Sequence, residues 1–165
     1  MRHILRRRER VEDVADPFED VADALEDGAD PLLIPFAEFF RDPASWRAHP
    51  GPLGVRVSPA DNVDALAADI ARFAIVVVEF PTFNDGRGYS HGRILRTRLN
   101  FQGEMRATGV VKQDHLFFMA RCGFDSFELA PGENVEEAKH ALQRFTVAYQ
   151  PGDSRVPIAL ATRYP

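Results

Sequence analysis

The chain has 165 residues, 45% of them hydrophobic and 27% charged, with a formal net charge of −5. That is the length and balance of one soluble globular domain with a full core, and it speaks against a general nucleic-acid binder, which carries a basic face. Cys122 is the only cysteine, so no internal disulfide, four-cysteine zinc site or iron–sulfur cluster can be built from this chain alone, and no apolar run reaches the roughly 18–20 residues of a membrane span.

Residues 1–30 read as a charged N-terminal arm. Five arginines fall between Arg2 and Arg10, and an acidic stretch from Glu12 to Asp30 follows without a Lys or Arg. The basic start lacks the apolar stretch of a secretory signal, which makes the cytoplasm the default compartment. Val14, Phe18, Val21, Ala22 and Leu25 lie at roughly helical spacing, so the arm reads as an amphipathic helix or a short hairpin with its charges paired. Pro31–Pro35 is a brief apolar strand, Phe36–Phe40 a helical turn, and Asp42-Pro43 and His49–Pro52 are loop punctuation around Trp46.

From Leu53 the pattern becomes regular. Gly54–Val57 reads as a strand. Ser58-Pro59-Ala60-Asp61 is a helix start, with Val63, Leu66, Ala67 and Ile70 on the buried face. The uninterrupted apolar run Ala74–Phe80 reads as a strand buried on both faces. After its loop, Ser90 is expected to cap a helix with Ile94, Leu95 and Leu99 inward and Arg93, Arg96 and Arg98 outward. Glu104–Thr108 is the next strand. Val111–Cys122 reads as a helix with Val111, His115, Phe118 and Cys122 on one stripe and Gly123 as its stop. Phe124–Leu129 is a strand. Asn134–Glu137 caps a last helix whose inner face runs through Val135, Ala138, Leu142 and Phe145.

Strand and helix thus alternate, the grammar of an α/β fold: a mostly parallel sheet of about five strands with flanking helices, either open or half-barrel-like. The domain so defined spans 31–150, followed by an irregular tail over 151–165 that contains Pro151, Pro157 and Pro165.

The words Glu79-Phe-Pro-x-Phe-x-Asp-Gly-Arg-Gly-Tyr-Ser90, Arg93-x-Leu95-Arg96, Gly103-Glu-x-Arg-Ala107 with Gly109, Asp114, and Arg121-Cys-Gly-Phe-Asp125 with Phe127 keep order and spacing over about 30–150. In these the chain resembles a bacterial family of uncharacterised proteins found beside sulfate-assimilation genes and labelled as oxidoreductases of sulfite reduction. Gln113 stands where that family usually has Arg, and His115 where it has Gln. The resemblance implies a pathway and, as partner, a sulfite reductase component. It does not imply a mechanism.

Ligands in open α/β sheets bind at the carboxyl ends of the strands, which directs attention to 79–90. Gly86-Arg87-Gly88-Tyr89-Ser90-His91-Gly92 follows a strand, but it is G-x-G-x-x-x-G and lacks the acid expected at the end of the next strand. A standard NAD site is therefore not indicated, and the cofactor is left unassigned. Two readings stay open for the loop. One is a cradle for a small anion, with Gly86, Gly88, Tyr89, Ser90, Arg87, Arg106, Thr108 and Asp114 as binding residues. The other is a structural turn in which Asp85 pairs with Arg87.

Glu79 and Asp85 are the candidate acid–base groups, Glu79 being equally readable as an ion-pair partner of Arg106. His115 reads as a core histidine, and His91 and His140 as exposed helix positions. No histidine spacing suggests a metal. Cys122, at a helix C-terminus where the dipole opposes a thiolate, reads as a packing residue. Two functions follow: an accessory factor of sulfate or sulfite reduction that binds an anion and a reductase subunit, or an enzyme acting on a small anionic substrate by acid–base chemistry. The reading includes neither nucleic acid nor membrane among the partners and leaves room for a homodimer.

Overall fold

The apolar runs from Leu32 onward become neighbouring strands of one open sheet. The computed structural model describes residues 3–7, 11–15, 17–20, 31–82 and 84–144. The strands are β1 (His3–Arg7), β2 (Val11–Ala15), β3 (Glu19–Asp20), β4 (Leu32–Pro35), β5 (Leu53–Val57), β6 (Phe73–Phe80), β7 (Glu104–Gly109) and β8 (Ser126–Phe127). Their order is β2-β1-β8-β7-β6-β5-β4-β3. The six strands β3 to β8 are parallel and follow one another across the sheet in chain order. β1 lies antiparallel beside β8 and pairs antiparallel with β2, so His3–Arg7 and Val11–Ala15 extend the domain's own sheet. The remainder of the arm's expected helix, 21–30, lies outside the described residues, as do Phe145 and the expected tail at 151–165.

Helices α1 (Phe36–Arg41), α2 (Pro43–Ala48), α3 (Arg87–Arg93) and α4 (Gln113–Arg121) lie in the connections, with 3-10 turns at Val63–Ala68 and Ile70–Arg72, and α5 (Val135–Arg144) follows β8. Strands in sequential order joined by right-handed crossovers carry every connection on the same face. The core obeys this. Leu32, Ile34, Leu53, Val55, Val57, Val76, Val78, Phe80, Met105, Ala107 and Phe127 share one cluster with Phe39, Leu66, Leu95, Leu116 and Met119 from the connections and with Ala138 and Leu142 of α5. The alternate strand residues Leu33, Ile75 and Val77 face the other way, packed with Phe18. The fold is therefore α/β, mostly parallel and open; it does not close into a barrel.

Several local expectations change. The segment after β5 forms 3-10 turns instead of an α-helix. Ser58 donates its N–H to Asp61 Oδ2 at 2.6 Å, closing a turn, and Asn62 caps the next segment instead. Val63 and Leu66 are buried as expected, but Ala67 is exposed, because three residues per turn rotate it off the inner face. α3 starts at Arg87 with Gly86 at its N-cap, four residues earlier than a cap at Ser90 would give. In α4 the inner face is Leu116, Met119 and Ala120, and Phe118 is 51% exposed, so the expected stripe is out of phase. The stop at Gly123 holds: its φ is +100°, and the N–H groups of Gly123 and Phe124 reach back to the carbonyls of Ala120 and Met119 in a Schellman cap. Asn134 Oδ1 accepts from the N–H groups of Glu136 and Glu137, as a helix cap should.

The largest correction is Arg96. It lies on a π-helical turn, Ile94–Arg98, that continues α3, and its side chain is 4% exposed instead of pointing outward. Its Nε donates to Gly123 O at 2.9 Å, and Nη1 donates to Phe101 O at 2.6 Å and Gly103 O at 2.9 Å. Nη2 donates to Asp125 Oδ2, which also accepts from Met105 N at 2.9 Å. One guanidinium thus ties together the turns leading into β7 and β8. Arg96→Ala should cost about 3 kcal/mol, the order expected when several buried acceptors lose a charged donor. Urea unfolding checks this, and Arg98→Ala, whose exposed side chain pairs only with Asp64 among the described residues, should stay within about 0.5 kcal/mol of wild type.

Candidate functional site at the carboxyl edge

The strand parity that builds the core also splits the expected site in two. Phe80 faces the helices, stacking edge-on against Tyr89 at 5.0 Å and Phe124 at 5.7 Å, so the loop beyond it and α3 lie on the helical side. Glu79, one residue earlier, faces the opposite side. There it is registered with Thr108, and Val77 with Arg106. Of the expected set, Asp85, Gly86, Arg87, Gly88, Tyr89 and Ser90 come together, and Glu79, Arg106 and Thr108 come together elsewhere. Asp114, exposed in the first turn of α4, belongs to neither contact group.

On the face opposite the described helices the charges are arranged across the strands. Glu104 accepts from Arg106 at 3.0 Å and from Ser126 Oγ at 2.6 Å, and pairs with Arg6 at 2.8 Å. Arg106 is 1% exposed. The expected Glu79–Arg106 pair is not what forms: Glu79 lies 3.7 Å from Arg56 of β5. The reason is register, since Arg106 sits one pleat below Glu79, within reach of Glu104 on its own strand. Thr108 Oγ1 donates to Glu128 at 2.8 Å. Arg56 and Glu128 were not singled out from the sequence. The alternation Gly54-Val-Arg-Val57 does carry a signal for Arg56, because an arginine between two core valines must face the other side.

The loop before α3 is closed on itself. Asp85 Oδ1 accepts from the backbone N–H of Arg87 at 3.1 Å and from its Nε at 3.0 Å, and Oδ2 accepts from Nη2 at 2.7 Å. These bonds, side chain first and then backbone, pull the Asp85 carboxyl from 3.8 down to about 2 and push the Arg87 guanidinium up. Burial, with a smaller contribution from Cys122, raises Tyr89. Tyr89 also stacks on Phe118 at 5.0 Å. Cys122 is buried and forms no disulfide.

The two loop glycines differ in what requires them. A Cβ on Gly88 would fall 2.6 Å and 2.7 Å from the Phe80 ring, so its absence lets α3 seat on β6. Gly86 has φ −79°, which any residue adopts, and a Cβ there would meet nothing within 4 Å. Neither backbone nor packing among the described residues asks for that glycine.

His91 was expected to be exposed, and it is 8% exposed, its Nδ1 buried without a hydrogen-bond partner. It lies one helical turn beyond Arg87, and this i,i+4 spacing is the only sign of it the sequence holds. Burial lowers its pKa most; Asp61 and Asp85 act to raise it and Arg87 to lower it. Among the described residues no three His, Cys, Asp or Glu side chains are grouped to hold a metal ion, and no helix is long and apolar enough to cross a membrane.

With this geometry in place, comparison with known proteins gives the α/β chain a bacterial family. Residues 54–158 match the family described as bacterial protein of unknown function, DUF934, and the chain belongs to that family. A search of curated proteins found no match.

Two outcomes test the loop. Gly88→Ala should lower stability by about 1–3 kcal/mol through overpacking against Phe80, whereas Gly86→Ala, in a helical conformation with open space, should be neutral or stabilising by up to about 1 kcal/mol. Chemical denaturation of both variants checks the pair. The second outcome concerns acid. Because the folded-state pKa of Asp85 lies below its ordinary value, its ion pair contributes fully above pH 3.8 and is lost as pH falls through about 2. The stability–pH curve of Asp85→Asn should be flatter than wild type over that window.

Proposed function

We propose that this protein is an accessory component of assimilatory sulfate or sulfite reduction that binds a small oxyanion at the Asp85–Ser90 loop and docks on a reductase component. The observation that carries the oxyanion reading is Gly86. A glycine that neither conformation nor packing requires, beside a guanidinium 62% exposed, suits the close approach of a ligand to the backbone. The carboxyl-edge position suits it as well, since open α/β sheets take ligands there. Asp85 now holds Arg87 from within, and an oxyanion would replace that carboxylate as the partner of the guanidinium. Support for the pathway comes from the likeness of the Glu79–Ser90 signature to proteins found beside sulfate-assimilation genes.

A second reading has its own observation. Glu79 is 36% exposed and its ion pair with Arg56 is long, 3.7 Å, at the end of a buried strand. A carboxylate so placed can take a proton from a small anionic substrate held by Arg56 and Thr108.

Sulfate, sulfite and phosphate should each raise the melting temperature of wild type, and Arg87→Ala and Gly86→Ala should remove the rise. An equal rise in wild type and Arg87→Ala would move the anion away from this loop. Loss of a measured turnover in Glu79→Gln, with the anion effect intact, would favour the enzymatic reading.

A further inference from the structure

The imidazole of His91 keeps its buried Nδ1 without a hydrogen-bond partner, yet it sits among the charges that control Arg87. A polar side chain more than nine-tenths buried and unpartnered is costly, and native structures rarely keep one without a use. Arg87 and His91 are four residues apart on α3 and share its face. Asp85 reaches that face from the loop and spends both oxygens on Arg87. Asp61 approaches from the turn after β5, its Oδ2 fixed by Ser58 N.

We propose that His91 is a proton-linked gate on the oxyanion site: protonating its imidazole gives Asp85 a second cation, loosens Arg87 and frees that guanidinium for an external oxyanion. The inference rests on the oxyanion reading of the loop and adds the group that regulates it. With His91 neutral, the charges of Asp61, Asp85 and Arg87 leave the locality one unit negative, which repels an anion. With His91 protonated they balance. The imidazolium attracts Asp85 and repels Arg87, so both effects act to open the same pair. Burial keeps His91 neutral in the resting state, and the fields of Asp61 and Asp85 supply the opposing pull. By linkage, an oxyanion that binds the opened form must draw a proton onto His91, so anion affinity rises as pH falls.

Sulfate is the probe, because its own charge does not change in the working range. Wild-type affinity for sulfate, from calorimetry, should tighten by about fivefold or more between about pH 8 and about pH 5.5, the size expected of one linked proton. His91→Gln should bind with one affinity throughout, close to the wild-type value at high pH. Asp85→Asn should bind more tightly than wild type at high pH and lose most of the slope. The imidazole resonance of His91 should titrate at a higher pH with sulfate than without, a readout that needs no variant to fold. Binding with a flat pH profile in wild type, an unchanged slope in His91→Gln, or an unmoved His91 titration would overturn the gate and leave the oxyanion site standing. If wild type binds sulfate at no pH, the oxyanion site itself fails and the gate fails with it.

Discussion

The four crossovers from β4 to β8 return on the same side of the sheet, and the distribution of chemistry over the described residues follows from that constraint. The helical side receives most of the large apolar side chains and becomes the main core, while Phe18, Leu33, Ile75 and Val77 form a smaller cluster on the other side. Among the described residues no crossover lies on the other side of β5 to β8, and there the strands carry Arg56, Glu79, Glu104, Arg106, Thr108 and Ser126 at alternate positions. Charges on that face are tolerated because they face one another across 4.8 Å strand spacings, about the reach of a side-chain ion pair. The same constraint separates Glu79 from Asp85. Six residues apart in sequence, they lie on opposite sides of the strand end and do not form one catalytic group.

The helical side needs its own lock. A parallel sheet must bring the chain back to the amino edge after each helix, and at two of these returns backbone carbonyls accept from a side chain instead of a strand N–H. Arg96 satisfies them: Gly123, Phe101 and Gly103 all accept from one guanidinium, with Asp125 balancing its charge. The π turn at Ile94–Arg98 is the local distortion that swings this residue inward. Gly88 and Gly92 let α3 pack against Phe80 and Phe124, so the helix bearing Arg87 and His91 is held firmly at both ends. A loop whose ion pair is to be exchanged for a ligand benefits from such a rigid base, because little ordering is then needed on binding.

Much of this was legible residue by residue. The run Ala74–Phe80 can only be a strand covered on both faces, and the turn chemistry of Gly123 and Asn134 marks helix ends by local steric and hydrogen-bonding rules that do not depend on the rest of the chain. The Asp85–Arg87 turn was one of two open readings, and its geometry is local too. Harder to read were the short strand Glu19–Asp20, with no apolar alternation to announce it, and the 3-10 turns at Val63–Ala68, whose spacing of apolar residues imitates an α-helix. The phase of α4 was misjudged because Phe118 is as apolar as the residues that are buried; its neighbour Tyr89 lets its ring sit half in solvent.

What the sequence alone determined, then, is the alternation of strands and helices and the composition of the loop at 85–90, since backbone preference and hydrophobic period act over a few residues. Which charges meet was decided only by the tertiary structure. Arg96 pointed inward because carbonyls from distant turns converge on it, Glu79 took Arg56 because of strand register, and His91 was buried by the packing of α3 beside the β5 turn. Pairings of that kind depend on distances between segments far apart in the chain, and no local pattern records them.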